Sequence, residues 1–289
     1  MRKKTKDIIR TILITIVLIF ISLFFIFPFY WMILNSFKQP GDILDVPVDI
    51  FTFDLTIQSY VDAFSFIRGD IEEFNYATIW TAYLNSFIIA ITSTFGTLFT
   101  SSLAAFAFAK MKFKGNKILY TIFIATLMIP GQVTVIPLYT IFAKTQLTDT
   151  FIPLILPGVM INTYGVFMLR SFIVSIPNEL LDAAEVDGCG YFRKYIKIIL
   201  PLIKPALVTL GLFSFIGSWN NYFGQLIYIS SYSNYTIPLI INAFRDPYMG
   251  GPEWGRLMAA TTLSVVPIAA VYLFCQKYFV QGIATTGIK

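Results

Sequence analysis

The chain contains no histidine and only two cysteines, Cys189 and Cys275. Without histidine there is no imidazole to serve in a Ser-His-Asp triad or in a His-based metal site. The two cysteines lie far apart in the sequence and have no partner at metal-ligand spacing, which argues against a disulfide framework. We therefore expect both cysteines to act as small apolar side chains.

Charged residues are also scarce, at 13% of the 289 residues, against roughly a quarter in soluble proteins. Apolar residues reach 56%, more than a soluble domain of this size can hide from water. Six stretches lack Asp, Glu, Lys and Arg, and each can supply the roughly 20 residues that cross a bilayer as a helix. The predicted helix cores are residues 11–34, 85–108, 118–140, 151–169, 206–228 and 257–276. We predict an all-α integral membrane protein with six transmembrane helices.

None of the six predicted helix cores contains an ionisable side chain. Carriers driven by protons or sodium usually need buried carboxylates or similar groups as ion sites. Their absence disfavours an ion-coupled mechanism, so the energy for uphill transport is expected to enter from outside the bilayer. The polar side chains that remain in the membrane are neutral, which suits a neutral polar solute.

The distribution of lysine and arginine orients the predicted helices. With the N-terminus in the cytoplasm, sixteen of the 21 basic residues lie in cytoplasmic segments, in agreement with the positive-inside rule. The net charge of +5 therefore reports topology, and nucleic acid is not expected as a partner. The predicted parts are a cytoplasmic N-terminus (1–10), a first helix (11–34), an external loop (35–83), a core domain (84–277) and a cytoplasmic tail (278–289).

The cytoplasmic segment 175–205 carries clear helix signals. Pro177 suits the first turn of a helix, and Glu179 and Asp182 favour its N-terminus through the helix dipole. Gly188 or Gly190 can end this helix in a left-handed turn. A second helical stretch follows, with a basic stripe suited to lipid headgroups and two prolines that bend the entry into the next membrane helix. The stripe is Arg193, Lys194 and Lys197, and the prolines are Pro201 and Pro205.

The first of these helices has a face kept thin by Ala183 and Ala184. A connector of this length is usually functional or disordered, and its helix signals argue against disorder. A short, thin-faced helix that projects into the cytoplasm suits a groove on another protein.

A sequence pattern in this segment resembles the signature loop of permease subunits in ATP-binding-cassette (ABC) importers. That pattern is Glu-Ala-Ala, three residues, Gly, nine residues and then Ile-x-Leu-Pro. The matching residues are Asp182, Ala183, Ala184, Gly188, Ile198, Leu200 and Pro201. Asp182 replaces the glutamate and keeps its charge. The resemblance extends over nearly the whole chain and is greatest to carbohydrate-uptake permeases of the type found as the six-helix subunit of the maltose transporter.

The resemblance implies the type I ABC importer permease fold and a set of partners. These are a second permease subunit in a heterodimer, a cytoplasmic ABC ATPase dimer, an extracytoplasmic solute-binding protein and the lipid of a bacterial cell membrane. The chain lacks a Gly-x-x-x-x-Gly-Lys-Ser/Thr loop, so ATP and magnesium are expected on the partner ATPase, with no cofactor on this chain. The protein is then a transport subunit with no catalytic residues.

The resemblance also assigns candidate residues. The segment around 178–188 would enter a cleft on the ATPase as a coupling helix. The coupling residues are Glu179, Asp182, Ala183, Ala184, Glu185, Asp187, Gly188, Ile198, Leu200 and Pro201. The candidates for the substrate path are the neutral polar and aromatic residues Asn85, Asn162, Trp219, Asn220 and Asn221.

Two other interpretations keep the six helices. The solute can be a polyol or a glycerol phosphate derivative instead of a sugar, because neutral polar side chains and aromatic rings would contact any of them. The chain can also be a stand-alone carrier, although such a protein would not need the ordered cytoplasmic helix. A membrane enzyme is the weakest alternative, since no cluster of nucleophile, base or metal ligands is present.

Overall fold

The structure is a computed structural model that describes residues 2–39, 41–43, 49–64, 79–160, 162–245 and 253–286, with side chains from residue 6 to residue 277. The regular elements of the described residues are all helices. Part of the predicted external loop (65–78) and the side chains of the tail (278–289) lie outside the described residues. The all-α expectation is confirmed.

Fourteen α-helices follow one another along the described chain. They are α1 (Arg2–Ser36), α2 (Gln58–Phe64), α3 (Ile79–Lys110), α4 (Asn116–Ala125), α5 (Gly131–Lys144), α6 (Ile152–Met160), α7 (Thr163–Val174), α8 (Glu179–Val186), α9 (Tyr191–Lys194), α10 (Leu200–Leu202), α11 (Lys204–Trp219), α12 (Tyr222–Tyr228), α13 (Ile237–Ala243) and α14 (Trp254–Thr286). A π-helical turn, Tyr195–Ile199, joins α9 to α10. The short α13 lies in the connection between α12 and α14.

Four helical segments are long and apolar enough to cross a membrane singly, and two further helix pairs qualify if each is counted as one bent span. The single spans are Lys6–Ser36, Ile79–Lys110, Ile152–Val174 and Trp254–Lys277, and the bent pairs are Asn116–Met128 with Gly131–Lys144 and Tyr191–Leu202 with Lys204–Trp219. With each bent pair counted once, the described residues hold up to six candidate spans, although the fifth begins at Tyr191, within the segment predicted to be cytoplasmic, instead of at residue 206. The protein is therefore a multi-pass membrane protein.

The third span differs from the single helix predicted at 118–140. It is broken at Ile129 and Pro130, where the backbone is extended, and its two halves meet at 97°. Proline lacks an N–H and pushes the preceding residue out of the helical region, which explains a break at this point. The helix predicted at 151–169 is likewise interrupted at Asn162, and that predicted at 206–228 is interrupted at Asn220 and Asn221.

The chain divides into two compact units, one formed by residues 1–66 with 241–266 and the other by residues 67–240 with 267–289. In the first unit α1 is exposed along its length from Lys6 to Phe29, as a helix surrounded by lipid would be. The segment after α1 folds back on its end. The Ser36 and Tyr60 hydroxyls lie 2.8 Å apart, and the Lys38 ammonium donates to the Asp49 carbonyl at 2.8 Å.

The second unit is built around α3, which packs against α6, α7 and α11. Small polar residues on α3 face these neighbours, among them the buried Ser93, Thr97 and Ser101. A side-chain carbon added to Gly165 of α7 would come within 2.7 Å of the Ser101 hydroxyl, so only glycine permits this approach. Small residues at such contacts let membrane helices pack closely without a hydrophobic driving force.

Candidate coupling site

The segment 175–205, which is predicted to be cytoplasmic, begins with the short helix α8, which starts at Glu179 after the N-cap residue Asn178. Its first turn holds Glu179 and Asp182, as the helix-dipole argument predicts. Pro177 lies before the N-cap instead of in the first turn, so its predicted position was wrong. The reason is that Asn178 takes the capping place, with its carbonyl accepting from the N–H groups of Leu181 and Asp182 at 2.8 and 2.9 Å.

Gly188 ends α8 in the left-handed conformation, with a φ of +73°. Its N–H donates to the Glu185 carbonyl at 2.9 Å, and the N–H of Cys189 donates to the Ala184 carbonyl at 2.8 Å. This pair of hydrogen bonds is the Schellman motif, which satisfies the last carbonyls of a helix. The sequence left Gly188 and Gly190 open for this role, and the structure selects Gly188.

The two alanines of α8 lie on different faces of the helix. Ala184 is 9% exposed and lies on the inner side with Leu181, whereas Ala183 is exposed. The expectation that both alanines thin one outward face was therefore wrong, because adjacent residues on a helix point about 100° apart. The outward face carries Leu180 and Val186, whose side chains are 47% and 89% exposed.

Leu180, Ala183 and Val186 recur at every third position, so they form one apolar stripe on the exposed side of α8. If α8 lies outside the membrane as predicted, such a stripe is the kind of surface that a helix presents to a groove on another protein. Sequence reasoning missed Leu180 and Val186, although their three-residue spacing was a readable signal.

Two lysines contact the ends of the coupling segment. The Lys110 ammonium, at the end of α3, donates to the Ile176 carbonyl at 2.6 Å and to the Asn178 side-chain oxygen at 2.8 Å. The Lys194 ammonium of α9 forms an ion pair with the Glu185 carboxylate at 2.6 Å. The hydrogen bond and charge of Lys194 hold the pKa of Glu185 below its usual value, so this carboxylate is ionised at neutral pH.

The stretch after α8 is helical as predicted, but its basic stripe is divided. Arg193 and Lys197 are exposed, whereas Lys194 is 5% exposed and faces α8. The expectation that all three would lie on lipid headgroups was wrong for Lys194. Its side chain is buried against α8, where it pairs with Glu185. The two helical pieces on either side of Ile203 meet at 79°, close to Pro201 and Pro205, which confirms the predicted bend.

The motif residues Ile198 and Leu200 hold this second stretch to the membrane domain, whereas Pro201 does not take part. Ile198 and Leu200 pack against a buried apolar cluster that includes Leu181, Tyr195 and residues of α3, α7 and α11. Pro201 is exposed on the outside of α10. The buried Tyr195 hydroxyl also lies 2.7 Å from that of Ser102 on α3. Apolar packing and one polar contact therefore fix this stretch against α3.

Comparison with known proteins places these features in a family. Residues 96–285 match the family model described as binding-protein-dependent transport system inner membrane component. The chain belongs to this family. The match covers well over half of the chain, including the whole of α8 and the bend after it.

Two relatives and one solved structure extend the similarity beyond the family domain. An arabinooligosaccharides transport system permease protein, AraQ, of Halalkalibacterium halodurans is 30% identical over 100% of both chains. A diacetylchitobiose uptake system permease protein, DasC, of Streptomyces coelicolor is 31% identical over 96% of this chain and 95% of its own. A chain of a bacterial ABC transporter that imports the polysaccharide alginate matches the fold with a TM-score of 0.81 at 21% identity, covering 95% of this chain and 98% of its own.

Members of this family are transport components, so the chain is a non-catalytic subunit of a transporter. Three residues proposed for the solute path of this permease have structural contacts. The Asn162 side chain caps α7 by accepting from the Gly165 N–H at 2.6 Å, and Asn221 caps α12 by accepting from the Gly224 N–H at 3.0 Å. Trp219 is 1% exposed and stacks on Phe215 at 5.7 Å.

Of the two other path candidates, Asn85 donates through its amide nitrogen to the carbonyls of Ser233 and Tyr235, both at 2.8 Å. Asn220 is exposed at the end of α11. A role in the path remains a prediction for all five residues. The capping contacts of Asn162 and Asn221 lie at breaks in two membrane spans, where irregular backbone needs polar partners.

Proposed function

We propose that this permease forms half of the translocation path of an ATP-driven importer for a sugar or oligosaccharide. Its partners would be a second permease subunit, a cytoplasmic ABC ATPase dimer that binds ATP and Mg²⁺, and an extracytoplasmic solute-binding protein. The chain would bind no cofactor of its own. Family membership supports a transport role that depends on a binding protein.

The observation that carries the proposal is the exposed apolar stripe of α8. A helix of eight residues is too short to be stable alone in water, yet α8 is held by the buried Leu181 and Ala184 and by the Schellman turn at Gly188. Its outer side then presents Leu180, Ala183 and Val186 without a partner from the described part of the chain. A short helix fixed on one side and apolar on the other suits insertion into a cleft on an ATPase.

A carbohydrate solute is supported by the two relatives, which are described as permeases for arabinooligosaccharides and for diacetylchitobiose. The six predicted helix cores contain no acidic residue that would repel or select ions, and their polar side chains are neutral. The hydroxyl groups of a sugar would hydrogen-bond to such amides and hydroxyls, and the sugar ring would stack on aromatic rings. A polyol or a glycerol phosphate derivative would meet the same groups, so the uptake test includes both.

The proposal is tested by purifying the tagged chain in mild detergent from the cells in which it is naturally expressed. An ATPase is expected to copurify, and reconstituted vesicles should take up a labelled oligosaccharide only with ATP inside and a binding protein outside. If the vesicles take up a polyol or glycerol 3-phosphate but no oligosaccharide, the solute of the importer is that compound and not a sugar. Uptake without an ATPase would instead identify a stand-alone carrier and refute the importer.

A further inference from the structure

Lysines from the neighbouring helices bind both ends of α8 through hydrogen bonds and an ion pair. Lys110 ends α3 and binds the entry to α8 through the Ile176 carbonyl and the Asn178 side chain. Lys194 ends α9 and binds the other end of α8 through Glu185. One grip therefore comes from the membrane helix α3, and the other from the stretch that leads into α11.

A cavity of about 430 Å³ lies beneath α8, between this helix and the end of α3. Its lining is Phe106, Ala109, Lys110, Met111, Lys112, Asn178, Leu181, Asp182, Glu185, Tyr191 and Lys194. Because the cavity removes van der Waals contact from this side of α8, apolar packing holds the helix only through Leu181 and Ala184. The polar contacts of the two lysines span the remaining gap.

The Lys194–Glu185 pair is asymmetric, which makes it a strong constraint on position. The Lys194 side chain is 6% exposed and the Glu185 side chain is 73% exposed. A buried ammonium group is costly to desolvate unless a counter-charge and hydrogen bonds compensate it. The Tyr191 ring, 5.7 Å from the ammonium, adds a weaker attraction. Moving α8 away would leave the buried charge without its carboxylate.

We propose that Lys110 and Lys194 are positioning residues that clamp both ends of α8, so that a displacement of α8 carries α3 and the helical stretch entering α11 with it. The inference rests on the proposed function, since an ATPase must supply the displacement. It goes beyond the resemblance, because neither lysine is among the coupling residues that the resemblance assigns, and the resemblance gives Glu185 no partner.

The first experiment measures rigidity in the full chain, in lipid nanodiscs and in a background with both cysteines replaced by alanine. Spin labels at Val186→Cys on α8 and Lys114→Cys beyond α3 report the distance between the two elements. Lys194→Met and Glu185→Gln are expected to broaden this distance distribution, and so is Lys110→Met. The matched controls are Lys197→Met and Lys117→Met, which remove exposed lysines and should leave the distribution narrow.

The exchange of charges distinguishes a clamp from general destabilisation. Glu185→Lys combined with Lys194→Glu keeps the summed length of the two side chains and reverses the ion pair, so it should restore the narrow distribution. Lys194→Arg keeps the charge and should also remain narrow. If Lys194→Met stays as narrow as the unaltered chain, or if the exchanged pair does not recover, the clamp is refuted.

The second experiment measures transmission in the complex that copurifies with its ATPase. For this complex the label on α8 is moved from Val186, which lies in the docking stripe, to the native Cys189 just after α8. Trapping with ATP, Mg²⁺ and vanadate should leave the 189–114 distance unchanged in the unaltered chain and shift it in Lys194→Met. Labelled oligosaccharide transported per ATP should fall by roughly fivefold or more in Lys194→Met, the lower end of usual coupling between sites. Equal transport per ATP in the unaltered chain and in Lys194→Met would refute the proposal that the clamp transmits the movement of α8. If no ATPase copurifies with the unaltered chain, the proposed function fails, whereas the nanodisc distances still decide whether the clamp exists.

Discussion

At the scale of single residues, Gly188 is the position where backbone conformation alone decides the outcome. Its φ of +73° lies in the left-handed region, and an added side-chain carbon would meet no atom within 4 Å. Gly188→Val should therefore act through strain, costing roughly 1–2 kcal/mol or more for a β-branched side chain. We expect normal abundance but lower uptake and lower substrate-stimulated ATP hydrolysis in reconstituted vesicles.

Gly188→Asn is the matched control, since asparagine visits the left-handed region with little cost. It should retain most of the uptake that Gly188→Val loses. Equal and normal uptake in both variants would mean that the end of α8 need not be fixed for coupling.

Asp149 is a second residue whose charge has a definite structural task. It lies between α5 and α6 with a φ of 60°, and its carboxylate accepts the N–H groups of Ser230 and Ser231 at 2.9 Å each and also the Ser231 hydroxyl. Partial burial raises the pKa of this carboxyl, but the hydrogen bonds from Ser231, Ser230 and Asn234 outweigh it and hold the pKa below its ordinary value.

A lowered pKa means that Asp149 stabilises the folded state above the unfolded-state pKa of about 3.9 and loses this effect as the pH falls through its lower folded value. Asp149→Asn keeps the backbone conformation but replaces hydrogen bonds to a charge by neutral ones, at a cost of about 1 kcal/mol at pH 7. Thermal unfolding of both proteins in detergent should show a lower midpoint for Asp149→Asn at pH 7 and a difference that closes below pH ~4. A constant difference across this range would contradict the role of the charge.

Cys189 and Cys275 are predicted to be dispensable, because neither has a disulfide or metal-binding partner among the described residues. Both are free thiols and partly exposed, and neither belongs to a metal-binding group of His, Cys, Asp and Glu among the described residues. Replacing both by alanine should leave uptake above about half of normal, because such small apolar exchanges usually cost little. Loss of uptake at normal abundance would reveal a role that the structure does not show.

At the scale of the helix, α8 offers a test that separates its two faces. Ala183 is exposed and Ala184 is buried, so Ala183→Trp should block docking into the ATPase without disturbing the fold. We expect at least about a tenfold loss of copurified ATPase, equivalent to roughly 1.4 kcal/mol, with an unchanged unfolding midpoint. The measurement is the ratio of ATPase to permease after purification.

Two variants control this test. Ala183→Ser keeps the face small and should retain the ATPase, whereas Ala184→Trp overfills the contact with the chain's own core and should lower the unfolding midpoint, at a cost of about 1–3 kcal/mol. If Ala183→Trp still binds the ATPase and transports, the outer face of α8 is not the docking surface.

The helices also show how far the sequence could be read. The spans followed from the lack of charge, and α8 followed from Glu179, Asp182 and Gly188, because these signals act locally. Helix geometry alone predicts that Ala183 and Ala184 lie on different faces of α8, but the sequence analysis assigned them to one face. The inward turn of Lys194 could not be read, since its partner Glu185 is nine residues away and only the packed fold brings them together.

The breaks in the spans divide in the same way. Pro130 announces the 97° bend of the third span through its own backbone chemistry. The interruptions at Asn162 and Asn221 depend instead on an asparagine cap paired with a glycine three residues later, Gly165 or Gly224. An asparagine within an apolar run looks equally like a solute contact, which is why both residues were assigned to the path.

At the scale of the whole molecule, the orientation in the membrane is the prediction on which the coupling proposal depends. The positive-inside rule places Lys6 and α8 in the cytoplasm and the segment around Asp54 outside. Single cysteines at Lys6, Asp54 and Val186, each exposed in the structure, would be introduced into the cysteine-free chain and treated with an impermeant thiol reagent in spheroplasts. Asp54→Cys should react at once, and the other two should react only after permeabilisation.

This result would place the exposed stripe of α8 on the side where ATP is available and leave the 49–64 segment on the side where a solute-binding protein would dock. Reaction of Val186→Cys in sealed spheroplasts would put α8 outside, where no ATPase could reach it, and would exclude coupling through this helix whatever its motif. If Lys6→Cys reacted in sealed spheroplasts and Val186→Cys did not, the number of spans between the two positions would be odd instead of the expected four. The three positions together therefore test both the orientation and the counting of the first bent pair, Asn116–Met128 with Gly131–Lys144, as a single span.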